Sequence, residues 1–138
     1  MAKTSGLGAA VLVADAAGTV RTISNDITDF QISTPRAAQD ITGVDRSAHE
    51  RLLLLADYSV SLKGVVNVAA NMSHAVFSTV SSTTVNRSTS IAPTSNNSTP
   101  ILVCNVLYSD YSVTRAPAGE LTWDVKGDLA DGAVPTWA

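Results

Sequence analysis

Long charged side chains are scarce in this sequence: Lys, Arg, Asp and Glu supply 15% of its 138 residues, against about 25% in an average domain. The net charge is −3 and the pI about 5.1. With no Lys/Arg cluster, an electrostatic grip on nucleic acid is excluded. Cys104 is the single cysteine, which rules out an intrachain disulfide; within "PILVCNVLY" it reads as a small core hydrophobe. Histidine is equally thin. His49-Glu50 starts the zinc-protease pattern, but position 53 is Leu and His74 is remote, so neither a metal site nor any cofactor is implied. No nucleophile elbow, phosphate-binding loop or dinucleotide glycine motif occurs. The acid pairs Asp26/Asp29 and Asp128/Asp131 fall at turns and strand ends, where Asp is common anyway. The chain therefore reads as no enzyme. It also lacks long apolar runs: nothing approaches a membrane span, and the apolar stretch in "MAKTSGLGAAVLVADAAG" is too short for a signal peptide. Synthesis and folding in a cytoplasm are expected.

What fills the gap is hydroxyl. Ser and Thr together number 31, which suits strands and turns more than helices. At this length one domain, 1–138, is expected, with a core that needs no staple. After a flexible lead over 1–10, "AAVLVADAAGTVRTIS" reads as two strands around a turn at Ala16-Ala17-Gly18, and "DITDFQIS" as a third that Pro35 ends. Residues 71–84 hold the one helix candidate, with Met72, Val76 and Val80 at a spacing of four and Asn71 or Ser73 as cap; a short strand is the alternative. The stretch 86–100, "NRSTSIAPTSNNSTP", reads as polar and without a strand, with Pro93 and Pro100 bracketing a loop. Ile101 begins a long strand that is apolar on both faces to Tyr108. After a turn at 116–119 the last strand alternates cleanly. Leu121, Trp123, Val125 and Leu129 lie on one face, with Glu120, Thr122, Asp124, Lys126 and Asp128 on the other. The sum is a mainly β sandwich or barrel of six to eight strands with one short flanking helix.

Two stretches do not fit a self-contained domain. Residues 36–51 form a charged loop or arm carrying Arg36, Asp40, Asp45, Arg46, His49, Glu50 and Arg51. Its signs balance, and loops this long are usually functional. It runs into Leu52, Leu53, Leu54 and Leu55, then into an alternation in which Ser59, Ser61 and Lys63 form the polar face. Leu52 to Val66 reads as one strand of about fifteen residues, spanning roughly 50 Å. Its leucine third is apolar on both faces and needs cover on both. A surface this poor in charge suits burial against another protein.

"STPRAAQDITGVDRSAHERLLLLADYSVSLKG", "SHAVFSTV" and "VTRAPAGELTWDVKGDLADGAVPTW" resemble the major tail, or tail tube, protein of long-tailed (siphovirus-like) phages, particularly those of actinobacterial hosts. The likeness runs from about Val11 to Trp137. It implies a virion tail protein, made in the host cytoplasm, that assembles as hexameric rings stacked into a tube. Its partners would be itself, a tape measure protein and the tail terminator and distal tail proteins. Double-stranded DNA would pass through without specific binding. Four strands per subunit would close a barrel of about 24 strands, roughly 48 Å across at a tilt of about 40°. The arm residues from Arg36 to Leu55 would then contact neighbours. Ser59, Ser61, Lys63, Glu120, Thr122, Asp124, Lys126 and Asp128 would face the lumen. The alternatives are another virion component of like fold, such as a head–tail connector or decoration protein, and a stand-alone β-sandwich binding module, which exposed aromatics would favour.

Overall fold

In the computed structural model, which describes residues 5–94 and 100–138, strands dominate because the hydroxyl-rich alternating segments can bury one face each. β1 (Ala10–Ala14), β2 (Val20–Thr22), β3 (Ile27–Ser33), β6 (Ser59–Val65), β7 (Arg87–Ala92), β8 (Leu102–Arg115) and β9 (Leu121–Leu129) form one antiparallel sheet in the order β2-β1-β7-β8-β9-β6-β3. β4 (Arg36–Asp40) and β5 (Arg51–Ala56) pair separately. The mainly β expectation holds, with nine strands among the described residues where six to eight were expected.

β8 is the corner. Leu102 to Val106 pair with β7, and Val106 to Arg115 pair with β9. A bulge between Tyr108 and Asp110 lets the strand bend from one half-sheet to the other. The halves then share one core: Val11, Val13 and Ile91 from one side, and Tyr58, Val60, Leu62, Trp123 and Val125 from the other. Ile101 to Tyr108, apolar on both faces in sequence, is buried on one; Val103 and Leu107 lie open on the other.

The helix is a single turn, α1 (Ser73–Phe77), much shorter than the spacing predicted, and neither Asn71 nor Ser73 caps it by side chain. Its ends are held from outside. The buried Asp26 carboxylate accepts from the Ser73 N–H at 3.1 Å and from Asn67 Nδ2 at 2.9 Å. At the other end Arg87, 2% exposed, donates to the Val76 carbonyl and, at 2.9 Å, to Thr79 Oγ1. Burial pushes its guanidinium below the ordinary value. So fixed, α1 sets Phe77 among Tyr108, Trp123 and Tyr111 with ring centroids 5.3, 5.3 and 5.8 Å away. Gly127 makes room opposite them, since a Cβ there would lie 2.4 Å from Val106 Cγ1.

Three further expectations are corrected. The stretch before Pro93 is β7: Arg87 and Thr89 are buried polar residues satisfied by hydrogen bonds, so hydropathy conceals the strand. Leu52 to Val66 is not one strand but β5 and β6, interrupted at Asp57-Tyr58. Residues 36–51 are no structureless loop; they contain β4 and the start of β5. Of the lead over 1–10, residues 1–4 lie outside the described residues, as do 95–99 of the polar loop; Ala10 already belongs to β1.

Candidate functional site

β3-β4 and β5-β6 form one hairpin, whose register holds from Asp29 to Arg36 and shifts by one residue at a bulge on either side. Ser33 lies opposite Ser59, Asp57 N–H donates to the Pro35 carbonyl at 3.0 Å, and Arg36 lies opposite Ala56. Pro35 kinks the ladder without shifting it. The lower half of this ribbon belongs to the large sheet; the upper half leaves the domain as an arm of which every residue in β4 and all of Arg51 to Leu55 are exposed. Leu52, Leu53, Leu54 and Leu55 are 54, 54, 42 and 91% exposed. Ile41 and Val44 are open too. Among the described residues nothing covers either face of the arm.

Most of the arm's charges are used within it. A bulge opposite Arg36–Ala38 frees carbonyls on β5, and the Arg36 guanidinium donates to those of Leu54, at 2.9 Å, and Leu53. Arg46 pairs with Glu50 at 2.9 Å and, more loosely, with Asp45. Asp40 accepts from the Thr42 hydroxyl and N–H and contacts His49 Nδ1 at 3.1 Å. The Thr42 side-chain and backbone hydrogen bonds, with His49 behind them, hold the Asp40 carboxyl below its usual value. Arg51 faces Asp40 across the ladder without an ion-pair contact among the described residues. The tip is therefore ordered by its own bonds.

The polar residues singled out on β6 and β9 do come together on one face. Ser59 lies opposite Asp128, Ser61 opposite Lys126, and Lys63 opposite Asp124. β3 adds Asp29 beside Lys63 and Gln31 beside Ser61, and β8 adds Asp110 beside Lys126 and Ser112 beside Asp124. Each lysine thus has a carboxylate as a cross-strand neighbour. The face carries Asp29, Asp110, Asp124 and Asp128 against Lys63 and Lys126. Thr122 shares it at the far end, and Glu120 lies in the turn before β9. Sequence reasoning missed Asp29, Gln31, Asp110 and Ser112, which the strand order and the β8 bulge bring here.

The four-stranded half-sheet β3-β6-β9-β8 ends on two open edges. Among the described residues β3 pairs only with β6, and β8 from Leu107 to Arg115 only with β9. Each edge is polar on the face just described. On the core side each carries partly covered apolar groups: Ile27, Phe30 and Ile32 on one, Tyr111 and Val113 on the other. Unpaired edges of this length are templates for another strand.

Neither a protein-family model nor a curated protein matches the sequence. Solved structures do. A chain from the tail of an empty gene transfer agent particle, refined helically with C6 symmetry, superposes with a TM-score of 0.69 at 16% identity over 94% of this chain and 95% of that one. A chain from the virion of a native gene transfer agent gives 0.65 at 14% identity, covering 93% and 95%. A chain from the six-fold symmetrised baseplate of the anti-feeding prophage gives 0.67 at 13% identity, covering 100% and 95%. The chain has the fold of these tail and baseplate proteins.

Proposed function

We propose that the chain is a structural virion protein that polymerises into rings, stacked as the tail tube of a long-tailed phage or phage-like particle. The observation that carries the reading is the pair of complementary open edges on β3 and β8. In a cyclic ring, rotation preserves each strand's direction along the axis. Four alternating strands therefore set β8 of one copy antiparallel to β3 of the next, and the barrel closes without a mismatch. Apolar flanks meet apolar flanks on the core side, and Asp, Ser and Lys line the other. The C6 symmetry of the gene transfer agent tail supports six copies per ring.

The lined face then looks inward. Its excess of carboxylates disfavours phosphate binding, because each cation that pairs with a phosphate adds counterion-release affinity. DNA slides rather than sticks. The aromatic distribution counts against a stand-alone binding module: Tyr58, Phe77, Tyr108 and Trp123 are buried, Tyr111 and Phe30 pack on the core, and of the seven only Trp137, 48% exposed, lies open.

Side-chain alternation restricts the closing register. Gln31 has to face a residue on the lined side of the neighbour's β8, with Asp110 and Ser112 at the middle of that edge, never Tyr111. Gln31→Cys combined with Ser112→Cys or Asp110→Cys is expected to give covalent hexamers on mild oxidation of concentrated protein. Negative-stain images of the same sample are expected to show rings or tubes. A protein that stays monomeric at millimolar concentration, with no cross-linked product from either pair, overturns the reading.

A further inference from the structure

We infer that a cleft beside the β3 edge is the seat for Val113 and Arg115 of the next copy in the ring; this rests on the ring reading. The cleft encloses about 540 Å³ between residues 6–9, the single 3-10 turn Ser24–Asp26 and the first half of β3. Leu7, Val11, Ile27 and Phe30 make its apolar walls, and Asn25 and Asp29 are the polar groups beside them.

The walls are preset. Ala9 N–H donates to the Gly6 carbonyl at 3.3 Å, with Gly8 between them at φ +84°, the pattern of a type II turn that calls for glycine at that position. The turn presents Leu7, 86% exposed. The Ser24 hydroxyl accepts from Val11 N–H at 2.8 Å and ties the 3-10 turn to β1. A cleft with aliphatic walls, held in shape by its own hydrogen bonds, gains stability when apolar groups displace its water.

Strand alternation names the occupant. β3 walls the cleft from Ile27 to Phe30 and is the strand that a ring neighbour would pair. On the neighbour's β8 the matching core side carries Tyr111, Val113 and Arg115, the partners of Val125, Trp123 and Leu121. Antiparallel pairing runs β8 toward its end as β3 runs back toward its start. With Gln31 opposite Ser112, Val113 faces Phe30; with Gln31 opposite Asp110, it faces Thr28. Both positions line the cleft, so either register delivers Val113, 47% exposed in the single copy. Arg115 follows on the same face without an ion-pair contact among the described residues, and Asn25 and Asp29 offer it acceptors. A one-residue slip would instead turn Ser112 or Thr114 toward apolar walls. The cleft thus selects the register of the seam, and the turn before β1 clamps the neighbour from the half-sheet away from the lined face.

The test uses the full chain, with Leu7→Cys or Asn25→Cys combined with Val113→Cys or Arg115→Cys. Mild oxidation of concentrated protein is expected to give a ladder of covalent multimers from at least one pair and no ladder from the single variants; Cys104 is buried and stays out of the reaction. Leu7→Asp is expected to keep the circular dichroism spectrum, because Leu7 is open in the single copy, while raising the concentration needed for ring formation at least tenfold. If a Gln31/Ser112 or Gln31/Asp110 pair gives covalent hexamers, no cleft pair cross-links and Leu7→Asp assembles like the parent chain, the cleft is not the seat and the ring reading stands. If no pair of either set cross-links, both fall.

Discussion

Replacing Leu53 and Leu55 together by serine separates assembly energy from folding energy. At 54 and 91% exposure they amount to about one and a half fully exposed leucines. Burying a leucine is worth about 1.5–3 kcal/mol, so covering these two contributes about 2–4.5 kcal/mol per subunit. At 1.4 kcal/mol per tenfold, the critical concentration for polymerisation rises about 30- to 1,000-fold. The isolated chain loses almost nothing, since neither side chain packs on its core. The assay is a sedimentation series across subunit concentration, paired with thermal unfolding of the unassembled protein. A shift below about threefold would show that the leucines stay wet in the assembly. A fall in Tm beyond about 4 °C, near 1 kcal/mol for a domain this size, would show that they are core after all. Either result refutes the reasoning.

Arg87→Ala strips donors from the Val76 carbonyl and the Thr79 hydroxyl inside the domain; urea unfolding is expected to show a loss of about 2–4 kcal/mol. Gly127→Val drives carbon into Val106 and Tyr108, which sit on rigid strands, and is expected to cost about 3 kcal/mol or more. The depressed Asp40 carboxyl adds stability to the arm tip that is present above about pH 4, the unfolded value, and is lost as pH falls through the lower folded value. Thr42→Ala is expected to move the Asp40 titration, followed by NMR, back toward higher pH. Asp124→Lys with Asp128→Lys is expected to leave rings intact in negative stain while slowing DNA passage, and unaltered passage would remove that face from the lumen.

Much of this architecture is legible before any coordinates, and the illegible parts have physical causes. β9 could be read residue by residue because one face is dry and the other wet. The break between β5 and β6 was hidden because the alternation Ala56, Tyr58, Val60, Leu62 keeps its phase across it. Its cause is Pro35 on the opposing strand, 22 residues earlier, which no local window joins to Asp57. β7 escaped because its inward side chains include Arg87 and Thr89, satisfied through α1 and Tyr108. The helix was overestimated because its apolar spacing continues to Val80, while its ends are set by Asp26 and Arg87. The leucines are the opposite case. Their need for cover shows in composition alone, and the fold leaves that need unmet.

The continuity of the ribbon links the two levels of assembly. The hairpin from Ile27 to Val65 carries the β3 edge in its lower half and the arm in its upper half, and one ladder of backbone bonds joins them. Among the described residues β3 is an edge strand, so the arm's root is held from the β6 side alone. When a neighbour's β8 pairs along that edge, β3 gains a strand on both sides and the root is held. The arm tip is already ordered by Asp40, Thr42, Arg46 and Glu50. Ring closure then removes much of the remaining orientational freedom that docking would otherwise have to overcome. In the proposed ring, an arm so held would meet a covering copy at a smaller entropic cost than the same arm on a free subunit, with no new contact required. On the proposed assembly, rings would form first and stacks grow from them, since the arm's cover is then met by subunits already in place.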